Sequence, residues 1–556
     1  MDLGPATHRS AQPSASAAAD PEAGAVASRL PEETAAASHR VGRSAWQRLG
    51  GSWPLAAILA VQALLSLRLV RADTAFEDEA TYLWAGHLEW GHLLHGTPLP
   101  PFPSYFSGSP VIYPPLGALA DSVGGLTAAR ILSLVFMLGA TVVLWSTTNR
   151  LHGQRAAFFA TALFAVLGPT LHLGAFATYD AMGLFLIALA AWLVVKAGDR
   201  PDATVWMLAA GVTLAVANAT SYSSALFDPI VVLLALVIAF PKPGGRLAAG
   251  RALSLLAIVA LLITLGLLIG GSRYLHGVEQ TTLARAGGTD SALSVLGSSW
   301  SWTAVIVVAA LGGVIASWVI LPRRAQTWQL TLLAAAALLV PLEQASLHTT
   351  DSLNKHVDLG AWCAAIAAGY AIDKFVAAAP VGNMRAITVG ACVIALSFPA
   401  SLGADQSQAF STSWPNSSAF IALLRPLVDH DTGHFLVEDP SIAEYYLHVG
   451  SSWTQWSSTR NIIGPGGIPT GGPSDKAGIV GPGNAGIFAD YIPPYPVPAY
   501  FSLIALSFSD TVSLDNKIAA DVKRSRHYGS PQLAPYGPGP RGPALGKYLI
   551  WRARPS

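Results

Sequence analysis

A polytopic α-helical membrane protein, with about eleven transmembrane helices and a small extracytoplasmic α/β domain after them, is the fold class this sequence predicts. Three observations predict it. Hydrophobic residues make up 52% of the chain and charged residues only 12%, where a soluble domain carries about 25% charged residues. The apolar residues gather into stretches of roughly 17 to 25, the length that crosses about 30 Å of hydrocarbon. Lys and Arg return at every second connection between those stretches, the pattern of cytoplasmic loops.

Residues 1–50 are rich in Ala, Ser, Pro, Glu and Arg, with no apolar run before Trp53, and read as a disordered cytoplasmic tail. Without the apolar core of a signal peptide, the first span is expected to stay in the mature protein. Apolar stretches follow at 53–70, 126–147, 156–173, 181–195, 204–220, 225–240, 252–270, 302–321, 328–345, 359–377 and 386–402. They define a membrane core over 51–402, with a large first outer loop at 71–125. Arg40, Arg43 and Arg48 precede the first span. Arg150 and Arg155, Lys196 and Arg200, Lys242, Arg246 and Arg251, Arg323 and Arg324, and Lys374 and Arg385 mark the later inner connections. The N-terminus is therefore expected in the cytoplasm, and an odd number of spans places 403–556 outside a multi-pass protein of the plasma membrane.

The C-terminal region, 403–556, reads as a small α/β domain. His434–Glu438, Phe501–Phe508 and Gly546–Arg552 have strand patterns, while Leu514, Ile518 and Val522 share one helix face. A loop dominated by Gly and Pro is expected at 464–498. The only cysteines, Cys363 and Cys392, lie in apolar segments, so this region has no disulfide framework or cysteine zinc site. A net charge of +1 gives no basic footprint for a nucleic-acid partner. Neither an internal repeat nor a pair of broken helices points to an inverted-repeat transporter.

Chemistry is expected at the outer mouth, because the acids collect there and the inner connections are mostly basic. The densest group is Glu77, Asp78 and Glu79, just after the first span. Adjacent carboxylates near low dielectric have raised proton affinity, which suits a general base for a hydroxyl, or ligands for a possible divalent metal ion. An acidic loop that solvates the end of a helix explains the same residues. Asp180 and the segment Ser352-Leu353-Asn354-Lys355-His356 also fall at outer ends, and Lys355 reads either as a partner for phosphate or as a side chain snorkelling to the interface. Trp53, Trp300 and Trp302 read as interfacial belt residues. Asn416-Ser417-Ser418 fits a glycosylation sequon. His87, His92 and His95 lack a strict metal spacing.

Asp78-Glu79 followed by Tyr82 resembles the acidic first-loop motif of the C-type membrane glycosyltransferases, and within them glycosyltransferase family 39, the protein O-mannosyltransferases and lipid A aminoarabinose transferases. Tyr113-Pro114-Pro115-Leu116, Ala129-Arg130-Ile131-Leu132-Ser133 and Thr178-Tyr179-Asp180-Ala181 are similar to the family's following elements in the same order, over residues 53–200. The resemblance implies an enzyme that takes a sugar from a polyprenyl-phosphate donor and passes it to an extracytoplasmic glycan, lipid or protein, with inversion. Asp78 would be the base, Glu79 its alternative, and Asp180 would position the acceptor or Asp78. Tyr82, Tyr113, Arg130, Lys355 and His356 would bind substrate or carrier, and Lys355, Arg130 or a divalent ion would balance the leaving phosphate. The rival readings are a transporter or flippase of lipid-linked glycans and a non-catalytic membrane scaffold.

Overall fold

A computed structural model of the chain describes residues 53–198, 200, 202–239, 245–284, 287–320, 325–459, 500–509, 512–536 and 546–554. The tail expected at 1–50, the loop expected at 464–498, and Lys242, Arg323 and Arg324 lie outside the described residues. Nine helices among the described residues are long and apolar enough to cross a membrane. They coincide with nine of the expected spans. The other two are present in shorter form. Helix α1, Trp53–Leu67, has 15 residues, and the third expected span is split into α4, Gln154–Ala165, and α5, Gly168–Leu173. Pro169 in the first turn of α5 has no N–H to continue the preceding helix.

The first loop is largely helical, which hydropathy could not show. Helix α2, Glu77–His95, lies along the start of α3, Tyr113–His152. Their backbones approach so closely that a Cβ on Gly86 would come within 1.9 Å of the Pro114 carbonyl oxygen. Inside α3, Gly125 has φ +65°, a left-handed conformation that glycine adopts without steric cost. It separates the stretch before Gly124 from the membrane span.

Helices α6, Tyr179–Ala197, α7, Ala203–Thr220, and α8, Asp228–Ala239, continue the bundle. After them come α9, Gly245–Thr281, α10, Ala292–Ile320, α11, Ala325–Ala335, and α12, Leu339–Ser346. Helix α13, Leu353–Ala378, runs through its centre and is buried along most of its length. Its Gly- and Ala-rich middle lets neighbours pack closely in a setting where apolar contact alone drives little association. The Trp362 indole donates to the Ala140 carbonyl at 3.0 Å. Helices α14, Asn383–Ala395, and α15, Ser397–Phe410, lie at the periphery, and α14 has no buried residue.

Among the described residues the C-terminal domain holds a five-stranded sheet in the order β2-β1-β3-β5-β4. Strand β1, His434–Val437, pairs in parallel with β2, Trp456–Ser458, and with β3, Phe501–Leu506. Strand β5, Gly546–Arg552, runs antiparallel to β3 and to β4, Gln532–Tyr536. Alternation along the strands sends Phe435, Val437, Leu503 and Ala505 to one face, under α16, Ser418–Val428, with Ala443 and Leu447 of α17, Ser441–Leu447. Leu436, Ile504 and Leu506 face the other side. There they meet Leu514, Ile518 and Val522 of α18, Val512–Arg524, the three residues that sequence spacing groups together. Helix α17 also joins the domain to the first loop, where Tyr445 donates to Asp121 at 2.6 Å and the His448 ring stacks on His87. The expected sequon residue Asn416 is likewise a tie, donating to Asp73 at 2.8 Å.

Candidate active site

Three helices begin at the end of the bundle nearest the sheet domain, and each carries a site residue in its first turn. They are α2 with Asp78, α6 with Asp180 and α13 with Lys355. Helix N-termini favour negative charge, because their first N–H groups lack intrahelical partners, so the two aspartates and the three consecutive acids of α2 are accommodated where they stand. Lys355 Nζ lies 2.5 Å from Asp78 Oδ2 and 3.7 Å from Asp180 Oδ2. Its only slightly exposed ammonium also lies over the Phe176 ring. Thr178 donates to Asp180 at 2.9 Å, and His356 Nε2 is 3.4 Å from the other Asp180 oxygen. The Gln344 amide oxygen accepts from His356 Nδ1 at 3.1 Å, so both ring nitrogens face oxygen. Ser352, which opens α13, has φ +61°, a conformation costly for a residue with a Cβ.

Asp78 and Glu79, which sequence alone does not rank, are separated by the helix. Successive residues on a helix point about 100° apart. Asp78 lines a cavity and its side chain is 30% exposed, whereas Glu79 points inward and is fully buried. Both Glu79 oxygens are engaged. They accept from Arg130 Nε and Nη2 at 2.7 and 2.6 Å, from the Ala177 N–H at 2.7 Å and from the Phe76 N–H at 3.1 Å.

Arg130, expected near the carrier phosphate, is 1% exposed and turns its remaining donors to the carbonyls of Val70, Asp73 and Thr74. Tyr113 is fully buried in the aromatic cluster with Tyr82, Phe102 and Phe106. The Tyr82 ring lies 4.6 Å from the Tyr179 ring, tilted by 33°, beside Asp180. Burial, with the Asp78 carboxylate nearby, holds the Tyr82 phenol well above its ordinary pKa, so it stays neutral. The structure thus joins Asp78, Asp180, Lys355 and His356 in one constellation with Tyr82 behind it, and sets Glu79, Arg130 and Tyr113 in the packing beneath. Lys355, read from sequence as a phosphate partner or a snorkelling side chain, is paired with two carboxylates.

The cavity beside Asp78 and Lys355 has a volume of about 700 Å³. Phe76, Phe176 and Trp414 form an aromatic wall, with ring centroids 5.3 to 5.8 Å apart, and Asp351, Asn354 and Ser298 supply polar lining. Trp302, expected in the interfacial belt, also lines this cavity and meets Phe410 edge-on. Sequence reasoning missed the aromatic wall because its members come from three distant segments. Farther along α10, Val305, Ala309, Gly312, Ala316 and Val319 line an apolar groove of about 750 Å³, closed on the other side by residues of α13, α14 and α15.

The possible divalent ion meets no matching donor set. Among the described residues no three His, Cys, Asp or Glu side chains converge as ligands, and the Lys355 ammonium stands between Asp78 and Asp180.

Residues 118–269 match the family model described as dolichyl-phosphate-mannose-protein mannosyltransferase. No curated protein matches the chain in sequence. Among solved structures, ArnT from Cupriavidus metallidurans bound to undecaprenyl phosphate superposes with a TM-score of 0.57 at 13% identity, covering 91% of this chain and 100% of that one. The chain shares the membrane-protein fold of ArnT. The archaeal oligosaccharyltransferase AglB from Archaeoglobus fulgidus, in complex with an inhibitory peptide and a dolichol-phosphate, gives a TM-score of 0.53 at 13% identity, over 90% of this chain and 74% of that one. The arabinofuranosyltransferase AftD from Mycobacteria gives 0.51 at 14% identity, over 91% of this chain and 40% of that one.

Proposed function

We propose that the protein transfers a sugar from a polyprenyl-phosphate carrier to an acceptor hydroxyl on the extracytoplasmic side of the membrane. The observation that carries this reading is Lys355 held between Asp78 and Asp180 on the wall of a polar cavity. The apolar groove along α10 suits the prenyl chain, and the structural relatives solved with undecaprenyl phosphate and dolichol-phosphate agree with such a carrier.

In the proposed reaction the donor phosphate competes with Asp78 for Lys355. As the ammonium turns to the phosphate, the Asp78 carboxylate loses its counter-charge and gains proton affinity. It then takes the proton of the acceptor hydroxyl. The acceptor oxygen forms a bond to the anomeric carbon while the bond from that carbon to the phosphate oxygen breaks, and the electron pair stays on the phosphate. Displacement from the opposite face inverts the anomeric centre. Lys355 offsets the charge that develops on the leaving phosphate, and Asp180 with His356 keeps it in place.

The direct test is release of carrier phosphate by the purified protein in lipid with candidate polyprenyl-phosphate sugars, compared with Asp78→Asn. Lys355→Ala is expected to raise the donor requirement and slow turnover together, lowering kcat/KM for donor by about 10²-fold, with partial retention in Lys355→Arg. Unchanged donor dependence in the alanine variant would assign Lys355 to a structural role.

The threading is tested separately. Val449 is 90% exposed on the sheet domain, and a cysteine placed there should react with a membrane-impermeant thiol reagent in intact cells. Reaction only after permeabilisation would put the domain and the proposed site on the cytoplasmic side.

A further inference from the structure

A second cavity, of about 260 Å³, lies between α2 and the sheet domain. Glu77 lines both this cavity and the larger one beside Asp78, so the two adjoin across the first turn of α2. Its walls are aromatic and acidic. Trp84 comes from α2, Trp453 from the turn before β2, Trp456 from the start of β2, and Tyr105 from the first loop. The indoles of the domain are held from behind, Trp453 by the Pro98 carbonyl at 3.1 Å and Trp456 by the Ser451 hydroxyl at 2.9 Å. Asp439 accepts from the Ser441 N–H at 3.0 Å and Glu438 from the Ser507 N–H at 2.9 Å, which fixes both carboxylates at the pocket edge.

Glu444 differs from them. It is 9% exposed and lines the cavity, yet its carboxyl has no hydrogen-bond or ion-pair partner among the described residues. Its carboxyl therefore opens only onto the cavity, where a ligand with hydroxyl groups can meet it. Burial, with Asp439 beside it, pushes the Glu444 carboxyl up to about 8. Near neutrality it therefore both donates and accepts, as a sugar hydroxyl also does.

We propose that this pocket binds a neutral saccharide, the terminal unit of a glycan acceptor whose free hydroxyl reaches Asp78 across the turn that Glu77 shares. This deepens the transferase reading and rests on it. Flat aromatic walls suit the apolar faces of a sugar ring, and carboxyl groups at the rim suit its hydroxyls. Among the described residues no Lys, Arg or His lines the pocket, and its carboxyl groups would repel an anionic acceptor. Four carboxyl groups oppose a lipid tail. The volume lies just below the roughly 300–1,000 Å³ of drug-sized sites, which accords with one or two sugar units.

The test is binding by the full chain in lipid nanodiscs, read from tryptophan fluorescence. Mannobiose, arabinobiose and cellobiose are the neutral probes, with glucosamine and glucuronate as charged comparators. At least one neutral disaccharide should bind saturably and more tightly than either comparator. Glu444→Leu, similar in size and apolar, and Trp453→Ala should each weaken that binding about ten-fold or more, while Glu444→Gln, which keeps a donor and an acceptor, should stay within about three-fold. A wild-type protein that binds none of the neutral probes, one that prefers a charged comparator, or binding indifferent to both Glu444→Leu and Trp453→Ala would overturn the proposal. Failure of the transferase reading has a different signature, since it shows as absence of carrier-phosphate release by the wild type whatever the sugar binding.

Discussion

Asp78→Asn is expected to lower sugar transfer by roughly 10²- to 10⁴-fold, the usual worth of a positioned general base, with the protein still folded and inserted. Asparagine keeps the size of the side chain and an oxygen that accepts from Lys355 Nζ, 2.5 Å away in the wild type. It cannot hold the acceptor proton. Lys355, itself nearly buried, keeps the Asp180 carboxylate 3.7 Å away as its counter-charge, so the change strands no buried charge of the kind that destabilises a core. Asp180→Asn should also reduce activity, through the hold that Asp180 shares with Asp78 on Lys355, and the double variant should lose less than the product of the two single losses. Glu89→Gln, on the same helix and away from both cavities, is the control. The decisive comparison uses saturating donor and acceptor, where altered binding no longer contributes. Near-normal turnover in Asp78→Asn would remove the base from the scheme. If Asp180→Asn were also near normal, a transporter of lipid-linked glycans or a non-catalytic scaffold would replace the transferase reading.

The residues of this constellation were legible in the sequence, but their pairings were not. Hydropathy and alternating basic loops bring Asp78, Asp180 and Lys355 to one end of the bundle, because the length of a span fixes which end of each helix a residue occupies. Which side of the first turn a residue faces depends on where the helix begins, and a one-residue change there rotates Asp78 and Glu79 by about 100°. Hydropathy carries no such information for α2, whose first loop reads as polar.

The sheet shows the same limit in another form. The interior strands β1, β3 and β5 display the apolar patterning that burial demands. The unrecognised strands, β2 and β4, are the two edges of the sheet among the described residues. Strand β2 has three residues and β4 contains Pro535, and short strands and proline are how edges avoid further pairing. The saccharide pocket was invisible for a third reason. Trp84, Glu444 and Trp456 become neighbours only when α17 docks on α2.

Glu79→Gln is expected to destabilise the protein by about 3–5 kcal/mol, because it leaves the Arg130 guanidinium buried without its counter-charge. The pair closes a junction of four segments. Arg130 belongs to α3 and reaches the carbonyls of Val70, Asp73 and Thr74 beyond α1, while Glu79 belongs to α2 and holds the Ala177 N–H just before α6. Loss of the carboxylate therefore loosens the first turn that presents Asp78 as well as the approach to Asp180. Arg130→Met alone should cost a similar amount, since it strands Glu79 in the same dry site. Combined, Glu79→Gln and Arg130→Met should be much less harmful than the sum, as removal of both members of a buried ion pair often is. Thermal unfolding in detergent measures the stability, and sugar transfer per folded molecule measures the function. A role confined to positioning predicts that the double variant recovers both together. Recovery of folding with transfer still abolished would instead make Glu79 the base, and Asp78 would become the residue that holds Lys355.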